Sequence, residues 1–202
     1  MMDIITGKTR PDDGEVYFDG RTDLTKLDEA TIANLGIGRK FQKPTVFESH
    51  TVWDNIELAL KKPRDVLSAL TYTPANDDIE RIEEILETIR LSARKGDLAA
   101  GLSHGQKQWL EIAMLLAQEP KLVLLDEPVA GMTRRERDRT GELVQEVAKR
   151  CSVLVVEHDM EFVRNYANIV SVLHLGSLLT EGPVAQVQSD PEVIEVYIGR
   201  SR

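Results

Sequence analysis

Two unbroken apolar runs, Leu122-Val123-Leu124-Leu125 and Val153-Leu154-Val155-Val156, organise the second half of the chain. A strand with one face in water alternates apolar and polar residues. A continuous run predicts a strand covered on both faces, as in a parallel sheet flanked by helices. Between the runs, Leu143, Val144 and Val147 recur at helical spacing, and upstream Leu110, Ala113, Met114 and Ala117 line one face of another helix. Ile79, Ile82, Ile85, Leu86 and Ile89 mark a third helix, in a mostly helical stretch from Trp53 to Gly101. An irregular insertion from Lys61 to Asp78, with Pro63 and Pro74, interrupts that stretch. The fold class is α/β.

The remaining segments are shorter. Met1 to Ile5 reads as the tail of a helix closed by Gly7. Turn residues Pro11-Asp12-Asp13-Gly14 lead into a short strand, Glu15 to Phe18, ended by Asp19-Gly20. Asp28 to Leu35 predicts a short helix and Ile37 to Gln42 a strand. Ile169 to His174 and Leu178 to Glu181 predict a hairpin around Gly176-Ser177, and Pro183 and Pro191 each suit the first turn of a short helix.

Charge narrows the partners. A formal net charge of −9 repels phosphate backbones, which weighs against nucleic acid as the primary partner, and none is expected. The single cysteine, Cys151, rules out an internal disulfide and a cysteine metal cluster, and reads as a small hydrophobe at the start of a strand. No apolar run is long enough to span a bilayer, and residues 1–8 lack the basic and apolar regions of a signal peptide. Membrane contact is therefore expected through a partner.

Chemistry collects where the predicted strands end, since open parallel sheets bind ligands beyond the carboxyl ends of their strands. The first apolar run passes straight into Asp126-Glu127-Pro128, and the second ends in Glu157-His158-Asp159. Adjacent carboxylates repel unless a cation or a substrate proton uses them. Asp126 suits a hard divalent ion that keeps several waters. Glu127, pointing the other way, suits orientation of an attacking water. A bare acid pair reads equally as two solvated helix-start acids; the apolar strand before it and His158 at the next strand end weigh towards chemistry. In Leu102-Ser103-His104-Gly105-Gln106, Ser103 is a helix cap and Gly105 permits close backbone approach to a phosphate. Alone, that segment reads as a capped helix with no ligand. Its position one helix and one turn before the carboxylate strand changes the reading.

These segments together resemble the ATP-binding cassettes of ABC transporters. Leu102 to Gln106 resembles the signature motif, with His104 where glycine is more usual. Leu122 to Asp126 resembles Walker B, Glu127 the catalytic glutamate, His158 the switch histidine and Gln42 the Q-loop glutamine. Phe41 to Glu48, Leu102 to Glu111 and Pro128 to Thr133 are similar to the urea-type members of the branched-chain amino-acid uptake group. The resemblance implies a P-loop NTPase-type parallel sheet core with a helical subdomain. It also implies ATP and Mg²⁺ as cofactors and a head-to-tail pairing with a second ATPase subunit. The further partners implied are membrane permease subunits and, indirectly, a periplasmic or extracellular substrate-binding protein. The implied location is cytoplasmic, peripheral on the inner face of the plasma membrane. By the same resemblance, Asp126 binds Mg²⁺ through water and Glu127 polarises the attacking water. His158 contacts the γ-phosphate, and Gln42 reaches the metal and water. Ser103, Gly105 and Gln106 close over the γ-phosphate held by the opposite subunit. Val129 to Thr133 occupies the D-loop position, with Thr133 where aspartate is common. Trp109, Met114 and His174 are read as structural.

One motif is missing. No G-x-x-x-x-G-K-[ST] occurs in the 202 residues; Gly7-Lys8-Thr9 lacks the first glycine, because Met2 stands in its place. The expectation is an amino-terminally truncated cassette lacking the first strand and the phosphate-binding loop. Such a chain binds ATP poorly by itself, and its alternative role is to lend its signature loop to a partner's ATP site. Within one cassette domain, residues 1–42 are expected to complete the amino-terminal core and residues 43–101 the helical subdomain. Residues 102–182 are expected to carry the signature, Walker B and switch histidine, and residues 183–202 the terminal short helices. A soluble ABC protein working on ribosomes or DNA is the competing class, but paired cassettes or long coiled-coil insertions are absent from this sequence.

Overall fold

The structure is a computed structural model that describes residues 1–40, 45–62 and 75–198. Residues 1–156 form one compact unit. It opens with a single-turn helix, α1 (Met2–Ile5), and a short antiparallel pair, β1 (Tyr17–Phe18) with β2 (Thr22–Asp23). Helix α2 (Glu29–Asn34) follows, its first turn capped by Asp28, whose carboxylate accepts the Thr31 N–H at 2.7 Å. Then come β3 (Ile37–Lys40), α3 (Val52–Ala59), α4 (Asn76–Ile89), α5 (His104–Ala117), β4 (Leu122–Asp126), α6 (Arg134–Ala148) and β5 (Ser152–Val156).

The sheet is parallel, in the order β3-β4-β5, with Ile37 opposite Leu122 and Leu122 opposite Ser152. Side chains alternate along β4. Val123 and Leu125 join the apolar core made with α3, α4, α5 and α6, while Leu124 packs with Met2, Leu24, Ile32 and Ile37 on the other face. Both faces are therefore covered, which is why the run at 122–125 carries no polar residue. Gly36 sets the register of β3 on β4. Its carbonyl accepts the N–H groups of Lys121 at 2.8 Å and Leu122 at 3.1 Å, with its own φ at +95°. The predicted strand through Gln42 is seen over Ile37–Lys40; Gln42 lies outside the described residues.

Residues 157–202 form the second unit. Asp159 caps α7 (Met160–Tyr166), accepting the N–H groups of Glu161 and Phe162 at 3.1 and 3.0 Å. The predicted hairpin pairs β6 (Ile169–His174) with β7 (Ser177–Pro183), its turn made by Leu175 and Gly176, both with positive φ. Helices α8 (Val184–Gln188) and α9 (Pro191–Ile198) follow, and Val172, Val187 and Val193 form a small core. Among the described residues no helix is long and apolar enough to cross a membrane.

Candidate functional site

Asp126 is the last residue of β4, opposite Val156 on β5, with its side chain 19% exposed. Arg39, on the neighbouring strand, faces it: Arg39 Nη2 lies 3.3 Å from Asp126 Oδ2, and Nη1 donates to Asp3 on α1. The Arg39 bond holds the Asp3 carboxyl below its ordinary pKa. Glu127 leaves the strand abruptly. Its N–H still donates to the Val156 carbonyl at 2.9 Å, but its φ is +46°, a left-handed conformation that costs a residue with a Cβ about 1 kcal/mol. This turn breaks strand alternation directly after Asp126. One hard carboxylate at a strand tip fits Mg²⁺, which keeps several waters and takes few protein ligands. Among the described residues no cluster of three or more His, Cys, Asp or Glu side chains forms a closed metal cage.

The segment 102–106 is a tightly bonded helix start. Ser103 Oγ accepts the Gln106 N–H at 3.3 Å, and Gln106 Oε1 accepts the Ser103 N–H at 3.0 Å, a reciprocal capping box. Arg94 Nη1 donates to the same Gln106 oxygen at 2.8 Å. The start of α6 repeats the device with Thr133 and Glu136. Glu136 then links the two helix starts: its Oε1 accepts the Ser103 hydroxyl at 3.2 Å, and its Oε2 accepts the Thr133 hydroxyl at 2.8 Å. The bond from the Thr133 N–H, helped by the Thr133 and Ser103 hydroxyls and by His104, holds the Glu136 carboxyl below its ordinary pKa. Gly105 leaves room for that contact, since a Cβ would sit 2.7 Å from Glu136 Oε1 and displace the carboxylate. His104 lies against Gly131, where a Cβ would meet its ring at 3.9 Å, and its Nε2 lies 3.2 Å from Gln108 Nε2.

The structure thus brings the segment 102–106 against the loop that follows Asp126 and Glu127. His158 belongs to the second unit, two residues after the end of β5; it is exposed, and its N–H donates to Glu157 at 3.2 Å. Gln42 lies outside the described residues. Sequence reasoning singled out neither Glu136 nor Arg39. The pattern Thr133-x-x-Glu136 announces a capping box but not its contact with Ser103, and nothing local marks Arg39.

The ABC transporter family profile matches residues 1–130, and a profile described as branched-chain amino acid ATP-binding cassette transporter matches residues 177–202. The chain belongs to the ABC transporter family. A curated relative, a probable branched-chain amino acid transport ATP-binding protein LivG of Methanocaldococcus jannaschii, is 32% identical over 98% of this chain and 81% of its own length. Among solved structures, the MJ1267 ATP-binding cassette of an ABC transporter superposes with a TM-score of 0.81 at 32% identity, covering 98% of this chain and 82% of that one. A dimeric post-hydrolysis structure of the MJ0796 cassette bound to ADP and Pi gives a TM-score of 0.72 at 25% identity, over 91% and 78% of the two chains. The chain is thus an ABC-type ATPase with LivG-type ATP-binding subunits among its relatives, and its α/β fold is that of the family.

Proposed function

We propose that this chain is the ATP-hydrolysing subunit of an ABC importer, working on the cytoplasmic face of a membrane against permease subunits and fed by a substrate-binding protein. The observation that carries this reading is the tip of β4. There Asp126 is held by Arg39, Glu127 is turned out of the strand at φ +46°, and the capped segment 102–106 is fastened to the loop that follows. Asp126 would hold Mg²⁺ through water, and the ion would neutralise charge on the transferring phosphoryl group. Glu127 positions and polarises the attacking water. Gln42 assists at metal and water, and His158 contacts the γ-phosphate. Phosphoryl transfer needs positioned charge and polar groups more than covalent chemistry, which suits this set. In a head-to-tail dimer, Ser103, Gly105 and Gln106 present the start of α5 to the nucleotide of the opposite subunit. Glu136 must then yield Ser103 to the incoming phosphate.

The test is the change equivalent to Glu127→Gln in an assembled transporter whose homologous cassette carries its own phosphate-binding loop. Turnover is expected to fall by roughly 10²–10⁴-fold while ATP remains bound, the usual worth of a positioned base. Turnover at the unmutated level sinks the assignment. The signature contribution is read separately, in a mixture with a partner subunit that carries its own phosphate-binding loop. There Ser103→Arg is expected to abolish the chain's stimulation of the partner's ATPase, and unchanged stimulation rejects the role. Kinship with the LivG relatives favours branched-chain amino acids as the cargo; the likeness of Phe41 to Glu48, Leu102 to Glu111 and Pro128 to Thr133 to urea-type members keeps urea as the second reading. Stimulation of the assembled ATPase by leucine or by urea decides between them.

A further inference from the structure

An open cleft of about 230 Å³ lies where α4, the turn from α5 into β4 and the turn from α6 into β5 meet. Pro120 and Cys151 stand just before β4 and β5, so the cleft is at the amino ends of strands whose carboxyl ends carry Asp126 and Val156. Ile85, Leu116 and Pro120 supply an apolar wall. The polar part is made of charges that are already paired. Arg81 Nη1 lies 2.7 Å from Glu119 Oε1, and its Nη2 donates to the Leu116 carbonyl at 3.1 Å. Arg150 Nη2 lies 2.8 Å from Glu84 Oε1. Glu119 sits one residue past the C-cap of α5 at φ +54°, the left-handed position that glycine fills most easily. A carboxylate is kept there against the steric cost of its Cβ, and a half-exposed ion pair adds too little stability to explain it. The volume is below the roughly 300–1,000 Å³ that holds a drug-sized molecule, so the fitting ligand is of amino-acid size.

The charges around the cleft cancel, Arg81 against Glu119 and Arg150 against Glu84. A simple anion would have to displace a carboxylate from its guanidinium, and a simple cation a guanidinium from its carboxylate. A zwitterion joins such a set without upsetting its balance, and the apolar wall asks for a ligand with a hydrocarbon side chain. We propose that this cleft binds a free α-amino acid with an apolar side chain, its carboxylate on Arg150, its ammonium on Glu119 and its side chain against Ile85, Leu116 and Pro120. The site is separate from the nucleotide site and rests neither on the identity of the cargo nor on the roles given to Asp126 and Glu127.

Cys151 lines the cleft and is the single cysteine of the chain, so its alkylation reads occupancy directly. Burial pushes its thiol pKa up, which slows the reaction without abolishing it. The chain itself is the sample, leucine the probe and iodoacetamide the reagent. For a Kd of about 1 mM, about 10 mM leucine is expected to slow alkylation roughly tenfold, following 1 + [L]/Kd. Isocaproate lacks the ammonium, isoamylamine lacks the carboxylate and glycine lacks the side chain. Each is expected to slow the reaction by less than about twofold at the same concentration. In Glu119→Gln, a change at a half-exposed residue, leucine is expected to lose most of its protection, while alkylation without leucine stays at the parent rate. Unchanged alkylation of the parent chain in leucine overturns the proposal. Equal protection by leucine and isocaproate, or full leucine protection in Glu119→Gln, overturns it as well. The ligand series on the parent chain is decisive whatever the variant does.

Discussion

Thr140→Val offers a sharp test of how the signature helix is held. Thr140 on α6 is fully buried, and its hydroxyl accepts the indole N–H of Trp109 on α5 at 2.9 Å. The same hydroxyl donates to the Glu136 carbonyl at 2.9 Å and lies 3.2 Å from Met132 Sδ. Valine has the shape of threonine, so packing is preserved and only the hydroxyl is lost. The indole N–H, on a side chain only 7% exposed, is then buried without its acceptor, at a cost of about 1–3 kcal/mol. Thr140→Ser makes the opposite change, keeping the hydroxyl and removing a methyl group, which costs about 1 kcal/mol. If the hydrogen bond dominates, valine destabilises at least as much as serine. Urea unfolding followed by circular dichroism gives the two midpoints. In a Trp109→Phe background the valine change should lose most of its effect, a coupling of about 1–2 kcal/mol. A Thr140→Val protein within about 0.5 kcal/mol of the parent, or more stable than Thr140→Ser, refutes the reasoning.

Asn55→Leu should destabilise by about 3 kcal/mol, because fully buried Asn55 accepts the Phe47 N–H at 2.7 Å and donates to the carbonyls of Phe47 and Thr51. Thermal unfolding measures it, and a loss below about 1 kcal/mol contradicts the bond count. Gly36→Ala should cost at least about 1 kcal/mol, since φ is +95° and a Cβ would approach Lys121 N to 3.1 Å. Amide exchange at Lys121 and Leu122 should rise with it, and unchanged protection there argues against Gly36 as the register pin. Glu136→Gln should show a pH-dependent loss. The folded carboxyl lies below its ordinary value of 4.5, so its contribution is complete above that value and disappears as pH falls through the lower folded one. The urea midpoints of parent and variant should therefore differ most at neutral pH and converge in acid; a gap that widens in acid has the wrong sign.

The legible parts of this molecule are those whose cause lies within a few residues of the effect. The run at 122–125 announced a strand covered on both faces because apolar side chains pack on each face of β4, and alternation of Val123, Leu124 and Leu125 between two cores bears this out. Ser103-x-x-Gln106 announced a helix start because a capping box closes over three residues. What escaped the sequence depends on register and on chain reversals. Arg39 reaches Asp126 across 87 positions, and Glu136 reaches Ser103 across 33. No periodicity encodes either distance. Lys40 was legible only as a polar residue in a short strand, although the sheet buries it opposite Glu111. Thr133, a departure from the aspartate common in this loop, has a local reason: its hydroxyl caps α6 and orients Glu136. The same carboxylate that Thr133 orients also occupies the Ser103 hydroxyl, the group that a phosphate from the opposite subunit would need. Thr133 therefore stands two hydrogen bonds from Ser103, through Glu136, and Thr133→Asp, by repelling Glu136, should free the Ser103 hydroxyl.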